Sequence, residues 1–334
     1  MVRYIKPRDS MVLESLLGEK NIRKYPFLIG ILSVMIALGG IFFAYTIFPA
    51  HASILAVAFI TIGLVPIMHN ILATEEEEEA EDKHSSVTFF ARHFDLIQLY
   101  VWIFIGIIIA FALAYAVAPS DVKPVMFEEQ IKAFCTISGG CDNGIPNSVT
   151  GKVTGMALVA CDPQKDNVLN CGIFILETNG WVLIFVIALS LLYGAGAIFI
   201  IAWNASILGL FFGEMFLVGE HLRGIGFLQT MLIGHGPPEL FAYVFGALAG
   251  AILSAAVSKG HLWDHHVGII LRDVSFLSVL AAVSVVYGAF VEAVGIMGMT
   301  NEYFILGFIY VVAVVIVVIF YGRQRHSPLS QRWM

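Results

Sequence analysis

Charged residues are scarce in this sequence, and most of what remains is hydrophobic. Only 13% of the 334 residues are charged, whereas 59% are hydrophobic. A soluble domain has about a quarter charged and about half apolar residues. Basic residues form no extended face outside a short N-terminal segment, which argues against nucleic-acid binding. The composition therefore predicts an all-α, polytopic transmembrane helical bundle whose main surroundings are the lipid bilayer.

Familiar catalytic and nucleotide-binding motifs are missing as well. The sequence contains no GxSxG, no Walker A motif, no dinucleotide fingerprint and no HExxH. The first ~25 residues are polar and basic, without the apolar core that a cleavable signal peptide needs. We therefore assign no catalytic residue, no cofactor and no metal ligand, and we expect a protein that is not an enzyme.

The four cysteines lie in the one long polar segment, residues 118–180. Their spacings lack the CxxC pairs that are typical of structural zinc sites. An even number of clustered cysteines, in a loop expected on the oxidising side, indicates two disulfides with three possible pairings. We therefore predict a small extracytoplasmic, disulfide-containing insert. Its cysteines are Cys135, Cys141, Cys161 and Cys171.

Hydrophobic runs predict about eight spans, of which one is short or re-entrant. A cytoplasmic amphipathic segment, residues 1–26, precedes a three-span region at 27–117. A second membrane region, 181–321, follows the cysteine-containing insert, and a cytoplasmic tail occupies 322–334. The short segment is 204–218, which either crosses the membrane or turns back within it.

The distribution of basic residues predicts the orientation in the cell membrane. Six Lys and Arg residues precede the first span and three Arg residues follow the last, so both termini are expected in the cytoplasm. An even number of crossings then places the cysteine-containing insert outside. An acidic run beginning with Glu75–Glu79 lies inside, where we expect a solvated and mobile linker.

Small residues recur at every fourth position in two of the predicted membrane segments. Such stripes allow membrane helices to approach closely. We therefore expect segment 204–218 to pack against segment 241–257. The helix-packing residues are Gly209, Gly213, Ala242, Gly246, Gly250 and Ser254.

Polar residues at membrane depth are the candidates for function. The sequence His-Gly-Pro-Pro-Glu at 235–239 opens an apolar helix, and prolines suit the first helical turn. An ionisable residue at this depth is a functional candidate, although structural hydrogen bonding explains it equally well. We expect His235 and Glu239 to form a hydrogen-bonded pair that Asn204 or Glu214 completes. The predicted polar core consists of Asn204, Glu214, His235, Gly236, Pro238, Glu239 and Glu292.

These motifs carry a resemblance to a known family. Asn204, Gly209 and Gly213, followed by the sequence HGxPEL at 235–240, resemble the integral-membrane family of stage II sporulation protein M. The front end, with residues 11–16 (MVLESL), is similar to the archaeal branch of that family.

The resemblance implies a structural role. Bacterial members act as membrane scaffolds that recruit cell-wall hydrolases during engulfment. By analogy we expect a non-enzymatic scaffold of a membrane-remodelling complex, with protein partners or further copies of itself. A transporter or channel that uses the polar core is the alternative, and an intramembrane metal-dependent hydrolase is the weaker one.

The predicted orientation is testable by labelling single introduced cysteines with a membrane-impermeant maleimide in intact cells. Thr150→Cys should react from outside. Glu78→Cys and Pro328→Cys should react only after permeabilisation, because an even number of spans keeps both termini in the cytoplasm. Labelling of position 328 in intact cells would contradict this topology and would make the number of crossings odd.

Overall fold

The computed structural model confirms a helical membrane bundle. It describes residues 25–81, 89–138, 141–142, 145–146, 161, 166–218, 232–258 and 267–325. Seven helices in these ranges are long and apolar enough to cross a membrane, and a shorter apolar stretch, Ile198–Glu214, forms part of an eighth helix. Outside the helices, the described residues include one antiparallel pair of two-residue strands. The predicted segments before residue 25 and after residue 325 lie outside the described ranges.

Ten α-helices with the following bounds make up most of the described chain. They are α1 (Phe27–Ile47), α2 (Ala52–Glu81), α3 (Phe89–Val117), α4 (Lys123–Met126), α5 (Glu128–Ser138), α6 (Val168–Tyr193), α7 (Ile198–Val218), α8 (Gly236–Ser258), α9 (Val267–Ile296) and α10 (Thr300–Arg325). A 3-10 turn, Pro49–His51, joins α1 to α2, and the short strands are β1 (Cys141–Asp142) and β2 (Ile145–Pro146).

The long helices form two groups that do not follow chain order. Helices α1, α2, α3 and α7 pack most extensively with one another, and helices α6, α8, α9 and α10 form the second group. The predicted division placed the first three spans in one region and everything after residue 181 in another. Instead, α7 returns to the first group, while α6 belongs to the second.

The glycines of α7 face α3, so the predicted packing of the two small-residue stripes against each other is wrong. A Cβ on Gly209 would lie 2.6 Å from the Cβ of Phe111, and one on Gly213 would lie 2.8 Å from the carbonyl oxygen of Ala112. Because glycine has no side chain, the two backbones come together at these points. Helix α7 therefore runs alongside α3 in the same direction.

The glycines of α8 face α6. A Cβ on Gly246 would lie 2.6 Å from Cδ1 of Leu183, and one on Gly250 would lie 2.6 Å from the carbonyl oxygen of Ile187. In the same helix Ala242 is fully buried, whereas Ser254 is half-buried. Helices α6 and α8 thus run parallel. The small-residue stripe of α7 packs against α3, and that of α8 packs against α6.

The break between α6 and α7 also differs from the prediction. Helix α6 begins at Val168 and not at Trp181, because the side chain of Asn167 accepts a hydrogen bond from the Asn170 backbone N–H at 2.9 Å. The helix ends before Gly194, whose φ of 67° favours glycine. Helix α7 begins at Ile198 and is one continuous helix of 21 residues.

The acidic run is helical up to Glu81, contrary to the expected mobile linker. Helix α2 continues through Glu75–Glu79 without interruption. Glutamate is a good helix former, so a run of glutamates extends a helix that the membrane segment has already nucleated.

The helix directions place both ends of the described chain on one side. Helix α7 is parallel to α3 and α8 is parallel to α6, and the intervening helices alternate in direction. Helix α1 therefore begins at the same end of the bundle at which α10 finishes. We call the opposite end, where α3 finishes and α8 begins, the loop end, because residues 118–167 connect there.

One predicted disulfide is present at the loop end. Cys161 and Cys171 are bonded, and their buried side chains pack against Ile175, Ala289 and Ala293. Cys171 lies inside α6 and not in a free loop, so the bond ties the insert to the membrane core. The side chains of the other two cysteines lie outside the described residues, and their pairing stays a prediction.

Enlarging a glycine at a helix contact should destabilise the bundle. Gly250→Leu would drive a side chain into the Ile187 carbonyl and the Ser190 side chain, which should cost about 1–3 kcal/mol of unfolding free energy. Thermal unfolding in detergent measures this loss. Gly39→Leu is the matched control, because a Cβ on Gly39 meets nothing within 4 Å. Equal melting temperatures for the two variants would contradict the contact.

Candidate functional site

A cluster of one histidine and two glutamates lies near the loop end of the second helix group. One potential ligand atom from each of His235, Glu239 and Glu292 lies within 4.8 Å of the others. His235 and Glu292 are buried, and Glu239 is half-buried. These three residues come from the start of α8 and the end of α9, which the sequence separates widely.

The start of α8 positions the first two members. Pro237 and Pro238 occupy the first helical turn, where their missing N–H groups cost no helical hydrogen bond. The backbone N–H of Glu239 donates to the carbonyl oxygen of His235 at 3.3 Å. A Cβ on Gly307 of α10 would overlap the carbonyl of Ile233. Glycine at this position lets the chain that leads into α8 approach α10.

The end of α9 brings the second carboxyl group to Glu239. A Cβ on Gly288 would lie 3.0 Å from Cγ of Glu239 and 3.3 Å from Cβ of Pro238. The missing side chain makes room for Glu239, and one turn further along α9 Glu292 reaches it. One carboxyl oxygen of each glutamate lies within 4.8 Å of the other.

Two neutral side chains complete the cluster. The side-chain amide of Asn179 in α6 donates to Oε1 of Glu239 at 2.9 Å. The hydroxyl of Tyr303, at the start of α10, lies 2.9 Å from Nδ1 of His235. The backbone N–H of His235 also donates to that hydroxyl, at 3.4 Å. The cluster therefore connects all four helices of the second group.

The other two predicted members of the polar core lie elsewhere. The side-chain amide of Asn204 donates to the Ile200 carbonyl of its own helix at 2.9 Å. Glu214 lies beside the Tyr115 hydroxyl of α3. The expected completion of the site by these two residues is wrong, because α7 packs in the first helix group.

The predicted pair of His235 and Glu239 also needs correction. The hydrogen bond between these two residues joins their backbones, from the N–H of Glu239 to the carbonyl oxygen of His235. The His235 ring is engaged by Tyr303 and the Glu239 carboxyl by Asn179. The side-chain hydrogen-bond partners come from other helices, α10 for His235 and α6 for Glu239.

Asn179 and Tyr303 are the site residues that sequence reasoning missed. Asn179 fell in the segment assigned to the polar insert, although an asparagine at 167 followed by an apolar run was a detectable helix start. Tyr303 had no such signal, because an aromatic residue near a helix end is typical of the membrane interface.

The electrostatics of the cluster limit its possible states. Two carboxylates within 4.8 Å of each other repel strongly where water is excluded. They need a shared proton or a bound cation between them, and buried charges without such compensation are costly. The site is thus suited to hold positive charge, either as a proton or as a metal ion.

Substitutions at Glu239 should separate its hydrogen bonds from its charge. Glu239→Ala leaves the Asn179 amide without its acceptor, which should cost about 1–3 kcal/mol of stability. Glu239→Gln keeps an accepting oxygen and should retain most of that stability in thermal unfolding. Glu302→Ala, at an exposed position near the start of α10, is the control. An alanine variant as stable as this control would contradict the network.

Comparison with known proteins places the chain in a family. Residues 99–295 match the family described as Stage II sporulation protein M, and the match contains His235, Glu239 and Glu292. No curated protein and no solved structure matches the chain. Since the family match spans more than half of the sequence, the chain belongs to the stage II sporulation protein M family.

Proposed function

We propose that the protein is a non-enzymatic membrane scaffold that organises a membrane-associated complex. The observation that carries this proposal is the set of hydrogen bonds at the start of α8. Asn179 of α6 donates to Glu239, and Tyr303 of α10 bonds the ring of His235. Buried hydrogen bonds that tie separate helices together are suited to hold a rigid shape.

The outer surface of α10 is suited to partner contact. Only 11% of its span, Thr300–Val317, is buried within the chain, compared with 44% of α1. The contacts of Tyr303 and Gly307 hold one side of α10 to the bundle. The other side presents large apolar side chains to the membrane, where another transmembrane helix can pack. They are Ile305, Phe308, Ile309, Val312, Val315 and Ile316.

The cellular setting is part of the same proposal. The basic residues at both chain ends support a location in the cell membrane with cytoplasmic termini. The start of α1 and the end of α10 lie at the same end of the bundle, which agrees with that orientation. The loop end then faces outside. Similarity of residues 11–16 to the archaeal branch is the ground for assigning the chain to archaea, and the analogy with bacterial members is the ground for a membrane-remodelling role.

Site-specific photo-crosslinking in native membranes tests the scaffold. A photoreactive amino acid at Phe308 of α10 should give discrete protein adducts on a gel, identified by mass spectrometry, because that face lies against a partner or a second copy. The matched control is Phe42 of α1, which is also exposed. Lipid adducts alone at Phe308, or the same protein adducts at both positions, would overturn the proposal.

Cation or proton transport is the second candidate, and the position of the cluster favours it. Ionisable residues at membrane depth often mark an ion path, and His235, Glu239 and Glu292 provide three ligand atoms there. Reconstituted liposomes with a proton-sensitive dye distinguish the two functions. Transport requires flux that Glu239→Gln abolishes while the protein still folds. The scaffold proposal predicts the same dye signal as empty liposomes.

A further inference from the structure

We propose that His235, Glu239 and Glu292 bind one divalent transition-metal ion, of the kind that zinc represents, between α8 and α9. This inference does not rest on the scaffold proposal, since a scaffold functions with or without a metal in its core. It rests on the three ligand atoms, the groups that orient them, and the charge of the site.

The three ligand atoms are arranged closely enough for one ion. They lie within 4.8 Å of one another. A zinc ion with bonds of about 2.0–2.2 Å separates neighbouring tetrahedral ligands by roughly 3.3–3.6 Å. Small side-chain rotations therefore suffice to close the site around a metal, with no change in the helices.

The histidine is oriented as metal-binding histidines are. Its Nδ1 atom lies 2.9 Å from the Tyr303 hydroxyl, which leaves Nε2 for a metal. The phenolic oxygen has two lone pairs, so it accepts both from the His235 backbone N–H and from a protonated Nδ1. In that tautomer Nε2 carries a free lone pair. An outer partner of this type normally fixes the ring of a metal ligand.

The carboxylate of Glu239 has an outer partner too. Asn179 donates to Oε1 at 2.9 Å, so Oε2 remains available for coordination. Hydrogen bonds to a ligating carboxylate hold its orientation. Gly288 adds to this effect, because its missing side chain lets the Glu239 side chain lie against α9.

The charge and the donor set indicate the type of ion. Two carboxylates balance the charge of a divalent cation, which reduces the cost of keeping both carboxylates at membrane depth. Calcium and magnesium prefer oxygen ligands throughout. An imidazole combined with carboxylates favours zinc or a similar transition metal. Three protein ligands leave a fourth position for water.

Metal binding by the purified full chain tests this proposal directly. The chain should be stripped with a chelator in detergent and titrated with Zn²⁺ against a chromophoric zinc competitor. The reference protein and every variant also carry His265→Ala and His266→Ala, because the sequence HLWDHH at 261–266 could bind zinc independently of this site. We expect about one Zn²⁺ per chain and no competition by Mg²⁺ in large excess.

Three variants assign the bound ion to the site. Glu292→Gln should abolish stoichiometric binding, and Tyr303→Phe should weaken it by about 10- to 100-fold, since it removes only an outer partner. Glu214→Gln, which alters a carboxylate beside Tyr115, should leave the affinity unchanged. Should Glu292→Gln fail to give a monodisperse protein, Glu239→Gln serves as the ligand variant.

The outcomes separate this proposal from the scaffold function. Absence of stoichiometric Zn²⁺, or equal affinity in the wild type and the ligand variants, overturns the metal site. Neither result changes the crosslinks expected from Phe308. Substitution with Co²⁺ adds a readout, because a coordinated cobalt ion gives visible absorption bands that Glu292→Gln should remove.

Discussion

The placement of two carboxyl groups, those of Glu239 and Glu292, within 4.8 Å of each other is the constraint on which the arrangement of the second helix group depends. In a membrane interior a polar group must find its partner within the protein, because lipid offers none. Glu239 therefore needs the donated hydrogen bond of Asn179, and with Glu292 so close the pair needs a shared proton or a cation. Three local features bring these side chains together: the early start of α6, the Pro-Pro turn of α8 and the glycine at position 288.

Backbone contact at glycine governs the rest of the bundle. The glycines of α7 bring it against α3, and those of α8 bring it against α6. Between membrane helices the lipid supplies no hydrophobic driving force, so close van der Waals packing decides which helices associate. The chain order of the helices consequently differs from their spatial grouping. As a result, Glu214 and Asn204 lie in the first group, away from the cluster.

The residues matched by the family and the residues of the site overlap only in part. The matched residues, 99–295, run from α3 to α9 and include all three potential ligands. Tyr303 and the whole of α10 lie beyond the match, as do α1 and α2. The cluster thus joins a family-wide pair of helices, α8 and α9, to a last helix that carries the outer partner of His235. That helix also has the smallest buried share of the seven described spans.

Local chemistry in the sequence determined the class of the protein and the faces of its helices. Apolar runs predicted the spans, four-residue spacing marked the packing faces at Gly209 and Gly246, and Pro237-Pro238 marked the start of α8. Each of these signals depends on neighbours within one or two helical turns. Only the tertiary structure decided which helix meets each face, which cysteine joins Cys161, and that Asn179 and Tyr303 complete the site. Spacing along a helix defines a direction from its axis, whereas the partner in that direction depends on the close packing of all the helices together.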